Sequence, residues 1–177
     1  IVSHLMVAGD IMSHMPLTDD CYVAETDSYD YTHVLQEAAR QLQLADFAVA
    51  NLETALAGGP NYSGYPRFNS PDELAYNIKD AGFDLLCTTN NHTLDTGIDG
   101  LNRTLDVLDQ ANIPHVGTYR SQEERDANLV VADVGGISVA FLGYTYGTNG
   151  IPVPKDHPYC INVFNTDYLS GLRELDR

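Results

Sequence analysis

The sequence predicts an α/β fold in which helices are layered on a mostly parallel sheet. Short apolar runs alternate with segments whose apolar residues recur every three or four positions, and this alternation is typical of β-α-β units. Apolar residues make up 44% of the 177 residues, which is enough to build a sizeable core. The chain has no run of about 18 apolar residues, so no segment is predicted to span a membrane.

The first half of the chain predicts two strands, and a polar cluster follows each of them. Residues 4–8 predict a strand that ends at Gly9-Asp10, and an acid-rich loop comes next. Apolar residues spaced by one, three and four predict a helix over residues 34–42. Residues 47–50 predict a second, buried strand that runs directly into Asn51-Leu52-Glu53-Thr54.

A long loop and a helix follow the second strand. Residues 55–69 are rich in Gly, Pro, Tyr and Asn, and loops of this length are often functional. Ser70-Pro71-Asp72-Glu73 supplies an N-cap, a proline at the first helical position and acidic side chains in the first turn. This combination predicts a helix that runs to Ala81 and ends at Gly82.

The remaining elements continue the alternation of strands and helices. They are a third strand, a helix with an apolar stripe, a short fourth strand, a hairpin joined through a Gly-Gly pair, and a last helix. The predicted ranges are, in order, residues 83–88, 98–108, 113–116, 128–134 with 137–144, and 167–175.

Charge and cysteine content limit the classes of partner and the redox chemistry. The formal charge is −16, with 25 acidic and 9 basic residues, so no nucleic-acid partner is expected, because binding to a phosphate backbone depends on Lys and Arg. The acidic excess suits either a soluble surface or carboxylates gathered around a cation. The three cysteines are too far apart for a metal knuckle; one Cys21–Cys160 bridge is possible, and Cys87 is predicted to be a buried small apolar residue.

Three polar clusters follow three predicted strands, and they contain Asp10, Glu53 and the pair Asn91-His92. Ligands bind at the carboxyl ends of the strands in open parallel sheets, so these clusters are expected to converge on one edge. Carboxylate, amide and imidazole ligands together suit Mn²⁺, Fe or Zn²⁺ better than Ca²⁺. Each residue alone has an ordinary alternative as a turn former, a helix cap or a hydrogen-bonded polar group. The prediction of a metal site therefore depends on their joint occurrence.

Four motifs in series, from about Leu5 to Gly150, identify a family that the chain resembles. They are Ala8-Gly9-Asp10-Ile11-Met12, Ala50-Asn51-Leu52-Glu53-Thr54, Asn90-Asn91-His92-Thr93-Leu94-Asp95 with Gly97 and Gly100-Leu101, and Tyr144-Thr145-Tyr146-Gly147-Thr148-Asn149-Gly150. In order and spacing they resemble the bacterial capsule-synthesis family (PGA_cap, the CapA/PgsA type) of poly-γ-glutamate biosynthesis. Its members are similar to calcineurin-like metallophosphoesterases, so the resemblance implies the N-terminal portion of that layered α/β sandwich.

The resemblance also implies a two-metal site and a role for each residue in it. Asp10 would bind the first metal, Glu53 would stand at the position of the bridging acid, and Asn91 would bind the second metal. His92 would be the general acid or a stabiliser of charge in the transition state. Two metals about 3.5–4 Å apart can hold both the attacking and the leaving oxygen of a phosphoryl transfer.

The chain departs from the phosphoesterase pattern at several positions. Met12 stands where a histidine is expected, and His14 is the nearest candidate to replace it. The bridging acid is Glu53 instead of an aspartate, and Asn90 takes the place of a glycine. Further histidines, in a His-Trp-Gly type motif, are expected late in the domain, but the chain has no Trp, and His115 and His157 lie in no matching motif. We therefore expect residues 1–177 to be a single domain that is truncated at its C-terminus.

The long loop and the last motif add candidates for substrate binding. Arg67 could meet an anionic group of the substrate through a bidentate contact, or it could form an ordinary surface ion pair. Asn69 and Asn51 are further candidates on this loop and at the second strand. Tyrosines in the Gly-rich loops could line a cleft or pack on the edge of the sheet: Tyr62, Tyr65, Tyr144 and Tyr146.

Two functions fit this resemblance. The protein could be a metal-dependent hydrolase that acts on a phosphoester or on the capsule polymer, or a non-catalytic surface component that binds or exports the polymer. The expected partners are a polyanion such as poly-γ-glutamate and capsule-synthesis membrane subunits, at an extracytoplasmic, membrane-anchored location, by analogy alone. An ordinary nucleotide-binding domain is disfavoured, because no glycine-rich phosphate loop follows the first strand.

Overall fold

The computed structural model describes residues 2–164 and contains a four-stranded parallel sheet with helices on one face. The strand order in this sheet is β1-β4-β5-β6, and two short antiparallel hairpins, β2-β3 and β7-β8, lie outside it. The elements are β1 Leu5–Ile11, α1 Met15–Asp20, β2 Tyr22–Val23, β3 Ser28–Tyr29, α2 Thr32–Leu42, β4 Phe47–Leu52, α3 Glu73–Ala81, β5 Leu85–Cys87, α4 Gly97–Gln110, β6 His115–Val116, α5 Gln122–Ala127, β7 Val130–Val134 and β8 Ile137–Phe141. The predicted layered α/β class is therefore confirmed.

The main core lies between the sheet and the helices α2, α3 and α4. From the sheet, Met6, Ala8 and Ile11 of β1 pack into it beside the apolar residues of β4. The helices contribute residues spaced three and four apart, as amphipathic helices do. These helical residues are Leu35, Ala39 and Leu42 of α2, Leu74, Ala75, Ile78 and Ala81 of α3, and Val107 and Leu108 of α4.

The opposite face of the sheet is covered in part by the β7-β8 hairpin. Val49, Leu85 and Val116 form a buried cluster on this face, and side chains of the hairpin pack against it. The rings of Phe47 and Phe141 are stacked with their centroids 5.4 Å apart. The hairpin was predicted from its Gly-Gly turn, and the structure confirms it with slightly shorter strands.

The pairing of β1 with β4 contains one irregularity that matters for the site. Val7 pairs with Val49, but Asp10 pairs with Asn51, so β1 holds one residue more than β4 between these two pairs. An extra residue of this kind is a β-bulge, and it changes which face the following side chains occupy. As a result, Asp10 lies next to Asn51 at the carboxyl end of the sheet.

Several predicted boundaries need correction. β1 extends three residues beyond its predicted end, and β4 extends two residues beyond its own. Asp10 and Asn51 therefore lie within strands and not after them. The acid-rich loop holds the unpredicted elements α1, β2 and β3, and α5 was also missed, although Ser121 caps it by accepting a hydrogen bond from the Glu124 backbone N–H. The predicted helix at residues 167–175 lies outside the described residues.

The predicted N-cap of α3 is wrong, while its predicted end is confirmed. Asp72 occupies the N-cap position, and the Ser70 hydroxyl bonds the Thr54 hydroxyl at 2.8 Å. Ser70 therefore anchors the end of the long loop and does not start the helix. At the other end, Gly82 has a φ of 106°, the left-handed conformation that glycine adopts without strain.

The possible Cys21–Cys160 bridge is not formed. All three cysteines are free: Cys21 is buried in the main core, and Cys160 is buried in a separate cluster with Leu94, Leu101 and Leu105. Burial raises the pKa of the Cys21 and Cys160 thiols to about 11, so both behave as small apolar residues at neutral pH.

Over residues 2–164, no helix has the length and apolar content that a membrane span requires.

Candidate functional site

The carboxyl ends of β1 and β4 bring two acidic side chains together around one amide. The Asn51 Nδ2 atom donates to Asp10 Oδ1 at 2.8 Å and to Glu53 Oε2 at 3.1 Å. The pairing of β1 with β4 fixes Asp10 opposite Asn51, and Glu53 follows β4 directly. A single amide therefore holds both carboxylates on the same side.

The environment of Glu53 opposes its ionisation. Burial is the largest cause that raises the pKa of this carboxyl above its usual range, followed by the negative charge of Asp10 and a hydrogen bond to it. His92 and Asn51 act in the opposite direction with smaller effects. In the part of the chain that the structure describes, neither Asp10 nor Glu53 forms an ion pair with Lys or Arg.

Asn90 links the third polar cluster to the first two. Its Nδ2 atom donates to Asn51 Oδ1 at 3.0 Å and to the Leu52 carbonyl at 2.8 Å. Its Oδ1 atom accepts from the His92 backbone N–H at 3.0 Å. The sequence presented Asn90 only as a departure from a glycine, but it connects the end of β4 to the turn that carries His92.

His92 is buried beside this network and is held by a second carboxylate. Its Nδ1 atom is 2.7 Å from Asp95 Oδ2, and its Nε2 atom is 3.8 Å from Glu53 Oε1. The Phe68 ring meets the imidazole edge-on, with centroids 4.8 Å apart. Sequence analysis did not include Asp95 among the site residues, although the His-x-x-Asp spacing in a turn is a signal that could have identified it.

An open cleft of about 430 Å³ lies next to His92. The loop before α3 lines one side with Tyr65, Pro66 and Arg67, and Asn149 and Ile151 line another. Asn91, His92 and Asp95 complete the lining, whereas Asp10 and Glu53 are not part of it. Arg67 is exposed, and no carboxylate in residues 2–164 lies within ion-pairing distance of its guanidinium.

Other predicted residues have local partners. Asn69 is buried and bonds within its own loop, to the Ala57 N–H at 2.8 Å and to the carbonyls of Gly58 and Asn61 at 3.0 Å each. Its predicted role in substrate binding is untested, and these contacts show that it braces the loop. His14 packs edge-on against Phe68, with centroids 5.0 Å apart.

The remaining histidines and tyrosines lie at different places. His115 bonds Asp109 at 3.2 Å, and His157 lies 3.1 Å from Asp156, so each has its own acidic neighbour. Among the tyrosines, Tyr65 lines the cleft, whereas Tyr62 packs edge-on against Tyr29. Tyr144 stacks on Phe164, and Tyr146 is largely exposed.

The donor set fits a divalent cation in its chemistry. Two adjacent carboxylates without a Lys or Arg partner gain from a bound cation, and Asn91 and His92 supply an amide oxygen and an imidazole nearby. Within residues 2–164, no three His, Cys, Asp or Glu side chains are clustered as a metal site of their own. The fit therefore depends on the amide oxygen of Asn91 or on ligands from outside these residues.

A parallel α/β sheet with a polar, carboxylate-containing cluster at its carboxyl edge defines an α/β protein of the layered, metallophosphoesterase-like class. Residues 4–167 match the model of the family described as bacterial capsule synthesis protein PGA_cap. The chain belongs to this family.

Two relatives that are named for capsule or PGA biosynthesis agree with the family. The chain is 28% identical over 171 residues to the capsule biosynthesis protein CapA of Bacillus anthracis, across 93% of this chain and 40% of that protein. It is 27% identical over 118 residues to the PGA biosynthesis protein CapA of Bacillus subtilis strain 168, across 64% of this chain and 31% of that protein. An uncharacterized Sinorhizobium fredii protein, y4sH, is 28% identical over 120 residues, across 64% of this chain and 26% of that protein.

The matched region is a minor part of each of these relatives. It spans between 26% and 40% of their lengths. The family to which the chain belongs is described by its part in bacterial capsule synthesis.

Proposed function

We propose that this domain carries the metal centre of a capsule or poly-γ-glutamate biosynthesis protein that acts as a metal-dependent hydrolase. The observation that supports this proposal is the Asp10–Asn51–Glu53 arrangement, in which one amide holds two carboxylates that have no Lys or Arg partner within residues 2–164. The raised pKa of Glu53 is the electrostatic consequence of that arrangement. A divalent cation would relieve the repulsion between the two carboxylates.

The residues of this site divide into ligands and a proton carrier. Asp10, Glu53 and Asn91 would hold one or two ions of Mn, Fe or Zn, and a bound metal would supply Lewis-acid polarisation of a phosphoryl or carbonyl oxygen. His92 faces both Glu53 and the cleft, so its imidazolium form can donate a proton from Nε2 to a leaving group. The contact of Nδ1 with Asp95 and the edge-on contact with Phe68 hold the ring in this orientation.

The substrate would be anionic and would enter through the cleft. Arg67 is the basic side chain among the cleft residues, and its guanidinium is available for a bidentate contact with a carboxylate or phosphate. Asn51 is engaged by both carboxylates and by Asn90, so a direct contact with substrate would compete with three existing bonds. Asn69 would act there by bracing the loop that carries Arg67.

A second candidate function is a non-catalytic component that binds or exports the capsule polymer. The specific observation in its favour is the exposed Arg67 beside Tyr65 at the rim of the cleft, which can meet a polyanion without any metal. In either case, the proposed partners are poly-γ-glutamate or another polyanion and capsule-synthesis membrane subunits. The proposed location is the extracytoplasmic surface, with a membrane anchor in the full-length protein, in which residues 1–177 belong to one domain.

Metal content measured on the full-length protein tests the hydrolase proposal. We expect stoichiometric Mn, Fe or Zn in the parent, a loss in Asp10→Ala, and retention in Asp27→Ala, which removes an exposed acid remote in sequence from the site. His92→Ala should retain metal but lose hydrolysis of phosphoesters or polymer. A parent that takes up no metal after reconstitution would overturn the hydrolase proposal, and metal-independent binding to polyglutamate would then support the second candidate.

A further inference from the structure

We infer that Asp95 is a positioning residue that fixes His92 in the tautomer with the proton on Nδ1, so that the Nε2 lone pair is directed toward Glu53 and the cleft. Asp95 simultaneously fixes the loop that carries Arg67. Its effect on chemistry rests on the proposed function, but the tautomer itself does not.

The hydrogen bonds of Asp95 determine the tautomer. Oδ2 lies 2.7 Å from the Phe68 backbone nitrogen and 2.7 Å from His92 Nδ1. The backbone N–H can only donate, and an ionised carboxylate can only accept, so His92 must supply a proton from Nδ1. The Asp95 side chain is only 1% exposed, so water does not offer Oδ2 an alternative donor.

The other neighbours of the imidazole do not compete with this assignment. Asn149 Nδ2 lies 3.5 Å from Nδ1 and 3.4 Å from Nε2, so it favours neither nitrogen over the other. Glu53 Oε1 is further away, at 3.8 Å, and is not in hydrogen-bond contact with Nε2. In the neutral imidazole, Nε2 is therefore the nitrogen that is free to take up a proton.

The bond to Phe68 connects His92 to the long loop. Phe68 is buried, its ring lies edge-on against His92, and Arg67 precedes it in the chain. The other Asp95 oxygen, Oδ1, is buried and has no hydrogen-bond partner in residues 2–164, so the two bonds at Oδ2 are those that hold this carboxylate. One carboxylate oxygen thus fixes both the orientation of the His92 ring and the position of the backbone next to Arg67.

Nitrogen NMR of histidine-labelled, full-length protein tests the inference. Spectra are recorded without added metal at a pH where imidazoles are neutral, and His92 is assigned by its loss in His92→Gln. We expect a protonated Nδ1 and an unprotonated Nε2 in the parent. In Asp95→Ala, no carboxylate oxygen accepts from Nδ1, so the proton should no longer be confined to Nδ1, and the Nε2 signal should move toward that of a protonated nitrogen.

A matched control is available on the surface. Asp20 and His33 form a second His–Asp pair at 3.0 Å, but their side chains are 70% and 54% exposed. Asp20→Ala makes the same chemical change there and should leave the His92 signals unchanged. A protonated Nε2 in the parent would overturn the inference without any variant, and so would an unchanged His92 in folded Asp95→Ala.

The result is separable from the fate of the proposed function. Because the tautomer is read without metal, a protein that never binds metal but shows the expected signals would overturn the hydrolase proposal and retain this inference. Asp95 is not among the proposed ligands, so Asp95→Ala should keep the parent's metal content. Loss of metal in that variant together with an unchanged tautomer would assign Asp95 to the metal site and overturn its positioning role.

Discussion

Asp10 and Asn51 face each other across the β1-β4 pair, and the Asn51 amide donates to the Asp10 carboxylate at 2.8 Å. The same amide nitrogen donates to Glu53, while the amide oxygen accepts from Asn90. Asn51 therefore connects all three strand ends that carry the candidate site. A residue with so many partners should affect both stability and ligand binding.

We expect Asn51→Ala to lower the free energy of unfolding by about 1–3 kcal/mol, because partly buried partners lose their hydrogen bonds. It should also weaken metal binding, because nothing then holds the two carboxylates in place. Urea unfolding and metal titration measure the two effects. Asn61→Ala, at an exposed position whose carbonyl alone is used in the loop, is the control and should stay close to the parent.

The raised pKa of Glu53 predicts a pH-dependent cost to stability in the absence of metal. Because the folded state holds this proton more tightly than the unfolded chain does, the proton stabilises the fold at acidic pH. That contribution is lost as pH rises from about 4.3, the ordinary carboxyl value, through the raised folded pKa. Unfolding of metal-free Glu53→Gln should therefore show a smaller decline with pH over this window than the parent.

An exposed acid provides the control for this pH experiment. Glu25→Gln removes a carboxylate from the surface and should leave the slope of the parent unchanged. Equal slopes for the parent and Glu53→Gln would contradict the predicted cost. Added divalent metal should reverse the sign of the effect in the parent, because ionised Glu53 would then be a ligand.

The guanidinium group of Arg103 is expected to contribute to the stability of the fold in a way that a lysine cannot replace. It holds Asp72 through two hydrogen bonds of 2.7 Å each and also donates to the Leu56 carbonyl. Lysine cannot reproduce the paired contact, so Arg103→Lys should lower the free energy of unfolding by about 1 kcal/mol, measured by urea unfolding. Arg40→Lys, in an exposed pair with Glu37, should change it by less than about 0.5 kcal/mol; similar losses in both variants would count against the bidentate explanation.

Arg67→Ala should weaken binding of poly-γ-glutamate oligomers about tenfold or more, as expected for loss of one charge-assisted contact. Titration calorimetry with the full-length protein measures this affinity. Arg40→Ala removes an equal charge outside the cleft and separates a local contact from the effect of net charge. Equal weakening in both variants would show that Arg67 acts only through the overall field.

Much of the fold follows from periodicity, and the limits of that reasoning are physical. Gly82 ends α3 as predicted, because the left-handed conformation there depends on local chemistry alone. The N-cap of α3 was misplaced, because the tertiary bond from Ser70 to Thr54 competes with a local cap. The local His-x-x-Asp spacing could have identified Asp95 as the partner of His92, whereas its bond to Phe68 joins residues that are distant in sequence and adjacent only in the folded loop.

The extra residue in β1 means that strict alternation of side chains does not by itself decide which face of the sheet Asp10 occupies. Met6, Ala8 and Ile11 face the helices, so strict alternation would place position 10 on that apolar face. The bulge between Val7 and Asp10 turns the charge away from the helices and returns Ile11 to them. A Cβ added at Gly9 would meet no atom within 4 Å, so a larger residue fits there, and deleting Gly9 would place Asp10 two residues after Val7, where regular alternation keeps the carboxylate on the Val7 face.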